Sequence, residues 1–190
     1  MYGQMADQMI QAMHSSARGR ARRGRMKAAI TGKPNALFSL REIEEKCQVE
    51  ARRHAGLQTV QIDRIQGSEG RCGDFDRHFN PMQDHTASRW RGIAKAREEG
   101  KSLPPIHVVQ IDEVYFVVDG HHRVSVARAL GQMQIEAKVT QWDVAGELPW
   151  EQQNEERCPS PVGQLFHRIG EGGAWVRDHA WTGMRSLVPA

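Results

Sequence analysis

Tyr115-Phe116-Val117-Val118-Asp119-Gly120-His121-His122-Arg123 decides the fold. Aromatic and β-branched residues make a short apolar run, which reads as a buried strand. The run breaks at Asp119-Gly120, and a helix pattern begins at once, with Val124, Ala127 and Leu130 on one side and Gly131 as the stop. A strand that turns this sharply into a helix needs a residue free of Cβ restrictions, and Gly120 supplies it.

Working outward, residues 106–110 and 114–118 are two extended runs separated only by Ile111-Asp112-Glu113, the pattern of a hairpin. Residues 135–140 give a further strand. Upstream, Asp84 is placed to cap a helix over residues 85–99, with Trp90, Ile93 and Ala94 inward and Gly100 as its end. Val60, Ile62 and Ile65 predict a first strand over residues 58–64, followed by a polar loop at 66–73. Ser39-Leu40-Arg41-Glu42 has the form of a capping box. Leu40, Ile43, Cys47 and Ala51 then recur at helical spacing, which predicts a docking helix within residues 36–57. The expected fold class is α+β: a small, mixed, mostly antiparallel sheet with packed helices, centred on residues 58–142. Residues 143–190, punctuated by Pro149, Pro159 and Pro161, read as an extension with short helices at 162–169 and 174–181.

The chain has 190 residues, enough for one full core with an appendage at each end, and 39% of it is apolar. No apolar run approaches the ~20 residues needed to cross a bilayer, so no membrane partner is expected and the setting reads as cytoplasmic. Three dispersed cysteines, Cys47, Cys72 and Cys158, form no disulfide framework. The net charge of +3 is unevenly spread. Residues 1–35 read as a flexible basic arm, in which Arg18, Arg20, Arg22, Arg23 and Arg25 fall within a stretch free of acidic residues. Such an arm suits electrostatic contact with DNA, and equally a solvated tail without a partner.

The segment around Gly120 carries the chemistry. The first turn of a helix leaves backbone N–H groups unbonded, and its dipole adds partial positive charge. His121, His122 and Arg123 stack side chains onto that turn, making an anion site whose natural occupant is phosphate. Arg123 offers a fixed fork, and His121 or His122 a phosphate ligand or a proton carrier. Asp119 is the difficulty, because a carboxylate repels an anion. Two readings stay open: it holds a divalent ion such as Mg2+, or it orients a histidine or caps the helix.

The order of these motifs resembles the ParB/sulfiredoxin superfamily. The chain supplies Val60 to Ile65, then Leu103-Pro104-Pro105-Ile106-His107-Val108, Gly120-His121-His122-Arg123, Ala129-Leu130-Gly131 and Ile135-Glu136-Ala137-Lys138-Val139. The resemblance implies a nucleotide or phosphorylated ligand at the Gly120 turn, with phosphoryl transfer or NTP hydrolysis as the chemistry. It also implies two alternatives, a ParB-like nuclease and a non-catalytic DNA-associated regulator that uses the basic arm. Sulfiredoxins carry a reactive cysteine directly after the box glycine; His121 stands there, so cysteine-based sulfinic acid repair is excluded. Partition ParB proteins carry Glu-Arg where this chain has His121-His122. The chain also looks like small stand-alone bacterial members with a Gly-Arg-x-x-Asp-Phe-Asp stretch, here Gly70 to Asp76. In related folds the loop after the first strand faces the box, which makes Glu69 and Arg71 candidates for the opposite wall. Glu69 and Asp119 are then the carboxylates available to activate a nucleophile or support a metal.

Overall fold

The computed structural model describes residues 2–150, and the expected helices at 162–169 and 174–181 lie outside them. Met1–Pro149 forms one compact unit. Its elements run α1 (Tyr2–Thr31), β1 (Phe38–Ser39), α2 (Leu40–Lys46), β2 (Gln48–Gln61), β3 (Ile65–Ser68), α3 (Ala87–Glu98), β4 (Ile106–Ile111), β5 (Val114–Asp119), α4 (His121–Ala129) and β6 (Gln134–Ala145). The six strands form one sheet in the order β1-β3-β5-β4-β6-β2. The long β2–β6 ladder and the β4–β5 hairpin are antiparallel and hold most of the paired residues, while β1–β3, β3–β5 and β4–β6 run parallel. The α+β class with a mixed, mostly antiparallel sheet is therefore what the chain adopts.

Two cores lie on either side of α4. Val60, Ile65, Phe75, Phe79, Ile106, Val108, Val117, Val124, Ala137 and Val139 fill the space against the sheet. Ile10, Trp90, Ala94 and Val126 join α1, α3 and α4. The Trp90 indole N–H donates to the buried Ser125 hydroxyl at 2.9 Å, so the one polar edge of the largest buried ring is satisfied. Gly67 has no room for a side chain, since a Cβ there would lie 2.1 Å from Phe116 Cδ1.

Four expectations need correction. The stretch expected as a polar loop at 66–73 begins as strand, because Ile65–Ser68 pairs in parallel with β5. Residues 1–35 are not a flexible arm. A 30-residue helix occupies most of that stretch, and Gly32 at φ 68° ends it. Ile10, His14, Ala17 and Ala21 are buried at helical spacing, and this stripe packs α1 against α3. The docking helix is shorter than expected. Its cap forms, with Ser39 Oγ accepting from Glu42 N–H, but the helix stops at Lys46 and Gln48 begins the long edge strand β2. Pairing with β6 across twelve registered residues outweighs the weak helical spacing of Cys47 and Ala51. Finally, Asp84 does not cap α3. It opens a 3-10 turn, and its carboxylate pairs with Arg18 on α1.

Gly67→Ala is expected to lower stability by about 1–3 kcal/mol through overpacking against Phe116. Chemical denaturation of the variant measures this directly, and an unchanged midpoint would contradict the packing described.

Candidate functional site

Gly120 sits at φ 103°, between the end of β5 and the start of α4. A Cβ at this position would lie 2.5 Å from Ile106 Cγ2, so both conformation and space demand glycine. No side chain caps α4. The first turn-closing bond is Val124 N–H to Gly120 O at 3.0 Å, so the N–H groups of His121, His122 and Arg123 precede the helix's own ladder. Arg71, Arg89, Ile93 and residues 119–123 line a cleft of about 70 Å³ at this end. That is room for a few water molecules or one compact tetrahedral anion. The cleft lies beyond the carboxyl ends of the parallel neighbours β3 and β5, where open sheets commonly bind ligands.

Both histidines are buried, at 5% and 7% exposure. His121 Nε2 stands 2.8 Å from Ser68 Oγ, which also accepts from Arg71 N–H at 3.0 Å. Its ring stacks on Phe75 at 6.1 Å between centroids, and the His122 ring meets the edge of the same Phe75 at 5.3 Å. His122 Nδ1 is buried with no hydrogen-bond partner. Burial pulls the pKa of His121 down to about 4, reinforced by Arg71 and His122. His122 also falls to about 4, again chiefly through burial, with Arg89, Arg71 and His85 adding to it. Both rings are uncharged at neutral pH.

The other expected residues are placed differently. Arg123 Nη1 donates to the carbonyls of Pro104 and Pro105 at 2.5 and 2.7 Å, and Nη2 to Asp119 at 2.5 Å. Its fork is therefore spent on tying the segment before β4 to α4 and on neutralising Asp119, rather than presented to a ligand. Asp119 caps no helix and pairs with no histidine. Among the described residues no group of three or more His, Cys, Asp or Glu stands where it could hold a metal ion. A lone carboxylate already ion-paired with Arg123 does not fit a protein-held Mg2+.

Glu69 uses its backbone N–H to extend the β3–β5 ladder to Val117 O at 3.1 Å, but its exposed side chain does not line the cleft. Arg71 does line it, steadied by Asp74 at 3.0 Å. Arg89 is the residue that sequence reasoning missed. It belongs to α3 and lines the cleft one position before the buried Trp90, a placement set by helix packing rather than by any local motif. Of the five basic-helix arginines, Arg18 pairs with Asp84, and Arg20 donates to Asn80 Oδ1 and Ser16 Oγ. Arg22, Arg23 and Arg25 are exposed.

No family model and no curated protein matches the chain. Among solved structures, sulfiredoxin from Arabidopsis thaliana superposes with a TM-score of 0.33 at 16% identity, over 54% of this chain and 98% of that one. A likeness that loose transfers neither family nor function. Among the described residues no helix is long and apolar enough to cross a membrane.

The buried histidines make stability pH-dependent. Their folded-state values near 4 lie below the usual 6.5, so between those two limits only the unfolded chain gains protons. Stability is full above pH 6.5 and falls as pH drops toward 4, by at most about 1.4 kcal/mol per pH unit for each histidine. Thermal unfolding from pH 7.5 to 4.5 should show this loss, with a shallower slope in His122→Asn. Equal slopes would contradict the burial argument.

Proposed function

We propose that the chain is a ParB/sulfiredoxin-type domain that holds one phosphoryl group of a nucleotide or other phosphorylated ligand at the α4 N-terminus. The observation that carries this reading is His122 Nδ1, buried and unpartnered on a side chain lining a cleft with Arg71 and Arg89. A buried polar atom left unsatisfied costs stability, and in this reading a small turn of the ring brings a protonated Nδ1 to an anion's oxygen in the cleft. In this reading the N–H groups of His121, His122 and Arg123 meet the phosphoryl oxygens, and Arg71 and Arg89 balance their charge. Arg123 acts indirectly, by cancelling the Asp119 charge that would otherwise repel the ligand. Ser68 holds the His121 ring in place.

Phosphoryl transfer or NTP hydrolysis is the finer form of the proposal. His122, uncharged at neutral pH, is in the protonation state that can accept a proton from an attacking group. Magnesium, where it takes part, enters on the ligand's phosphates, since Asp119 is already committed to Arg123. A second reading is favoured by one further observation. Arg22 and Arg25 stand one turn apart on α1, exposed and without an acidic partner among the described residues. A rigid basic helix of this kind would bind DNA phosphates, as a DNA-associated regulator or ParB-like nuclease requires.

Thermal-shift measurements with phosphate, pyrophosphate, ATP, CTP and GTP, each with and without Mg2+, test the proposal. A ligand specific to the folded state raises the melting temperature as its concentration passes its dissociation constant. At least one of these anions is expected to stabilise the wild type, and Arg89→Glu is expected to abolish the shift given by inorganic phosphate. If none does, the phosphoryl reading is wrong. A salt-sensitive gel shift with duplex DNA, lost in Arg22→Glu/Arg25→Glu, would support the second reading instead.

A further inference from the structure

A much larger, open cavity lies at the opposite end of α4 from the Gly120 turn. It offers about 860 Å³ between the C-terminal half of α1, residues 62–63, the loop around Asp76 and Asn80, and the last turn of α4. That volume is within the range of small-molecule sites and far larger than the cleft at Gly120. Arg20, Lys27, Lys33, Arg77 and Arg128 line it, against only Asp63 and Asp76. Asp76 is already occupied: its carboxylate accepts from His78 N–H, Asn80 N–H and the Asn80 amide at 2.8 to 3.2 Å. Its carboxylate is held within its own loop, and the five cations of the lining outnumber the two carboxylates.

Two buried donors on lining residues lack acceptors. Arg128 Nη2 donates to the carbonyls of Ile62 and Ile65 at 2.6 and 2.9 Å, yet its Nε has no partner. Asn35 Nδ2 is likewise buried and unpartnered. Orphan donors are costly, and a shift of either side chain toward an acceptor-rich guest would satisfy it. The carbonyls at the end of α4 do not spoil the site for an anion, because Gly131 and Gln132 N–H close on Arg128 O and Ala127 O at 3.1 and 2.9 Å. Ile62, Ala129 and Met133 add an apolar side to the same cavity.

We infer that this cavity is a second ligand site, built for an oligophosphate of nucleotide size and separate from the Gly120 cradle. Along a nine-residue helix the two sites stand about 13 Å apart. The oligophosphate can belong to a nucleotide, whose base would lie on the apolar side, or be inorganic.

Isothermal titration of the full chain with inorganic tripolyphosphate and with ATP tests the inference. Wild type should bind tripolyphosphate. Lys27→Glu/Arg77→Glu, which reverses charge on two walls, should weaken binding at this site about tenfold or more, while Arg89→Glu, which alters the Gly120 cradle, still leaves one tripolyphosphate site of wild-type affinity. Tighter binding of ATP than of tripolyphosphate, sensitive to the same double variant, would identify a nucleotide; equal or weaker binding would identify an inorganic oligophosphate. Circular dichroism reports whether the double variant folds, and if it does not, Lys33→Glu alone should still weaken binding about threefold. The inference is overturned if tripolyphosphate does not bind, if a folded cavity variant binds it like wild type, or if only Arg89→Glu abolishes binding. In that last outcome the cradle alone accounts for the affinity.

Discussion

Where β5 becomes α4 there is no space for a side chain, and the arrangement of the site follows from that. Gly120 turns the chain at a positive φ against Ile106, so the helix begins directly above the end of the strand. Three backbone N–H groups and two histidine rings are thereby delivered to one closed end of the domain. Phe75, from a loop almost fifty residues earlier in the chain, fills the space beneath both rings. A larger residue at position 120 would have to push β4 away or unwind the first turn, and either change would open the cleft.

Charge is arranged around that turn with little excess. Asp119 would oppose an anion, but Arg123 cancels it and uses its remaining N–H groups to hold Pro104 and Pro105 at the entrance to β4. Arg71 is steadied by Asp74, and α3 brings Arg89 to the same cleft. The histidines are kept neutral by burial and by these same cations. An incoming anion would relieve the cationic part of that penalty, so ligand binding and histidine protonation are coupled in the same direction.

The parts of the fold legible in the sequence were those specified locally. The Gly120 turn, the β4–β5 hairpin and the glycine stops after α3 and α4 each depend on residues a few positions apart, and each was anticipated. The parts that were not legible depend on distant partners. Cys47 and Ala51 fit a helical spacing, yet the pairing of β2 with β6, more than ninety residues away at this end, makes the stretch from Gln48 a strand. The buried stripe on α1 has one strongly apolar residue, Ile10, beside His14, Ala17 and Ala21, too weak a hydrophobic signal to stand out against its arginines. At the site, the histidines and Arg71 were found from the motifs. The commitment of Arg123 to two proline carbonyls and the arrival of Arg89 from α3 are tertiary facts with no local signature.

The central claim is that an anion sits on the first turn of α4 beside His122. Amide and histidine-ring nitrogen NMR, with inorganic phosphate titrated into the labelled full chain, tests it most directly. The account predicts saturable shifts of the backbone N–H signals of His121, His122 and Arg123, together with movement of the His122 ring nitrogens. Saturable shifts confined to other parts of the chain, or no shifts at all, would contradict it.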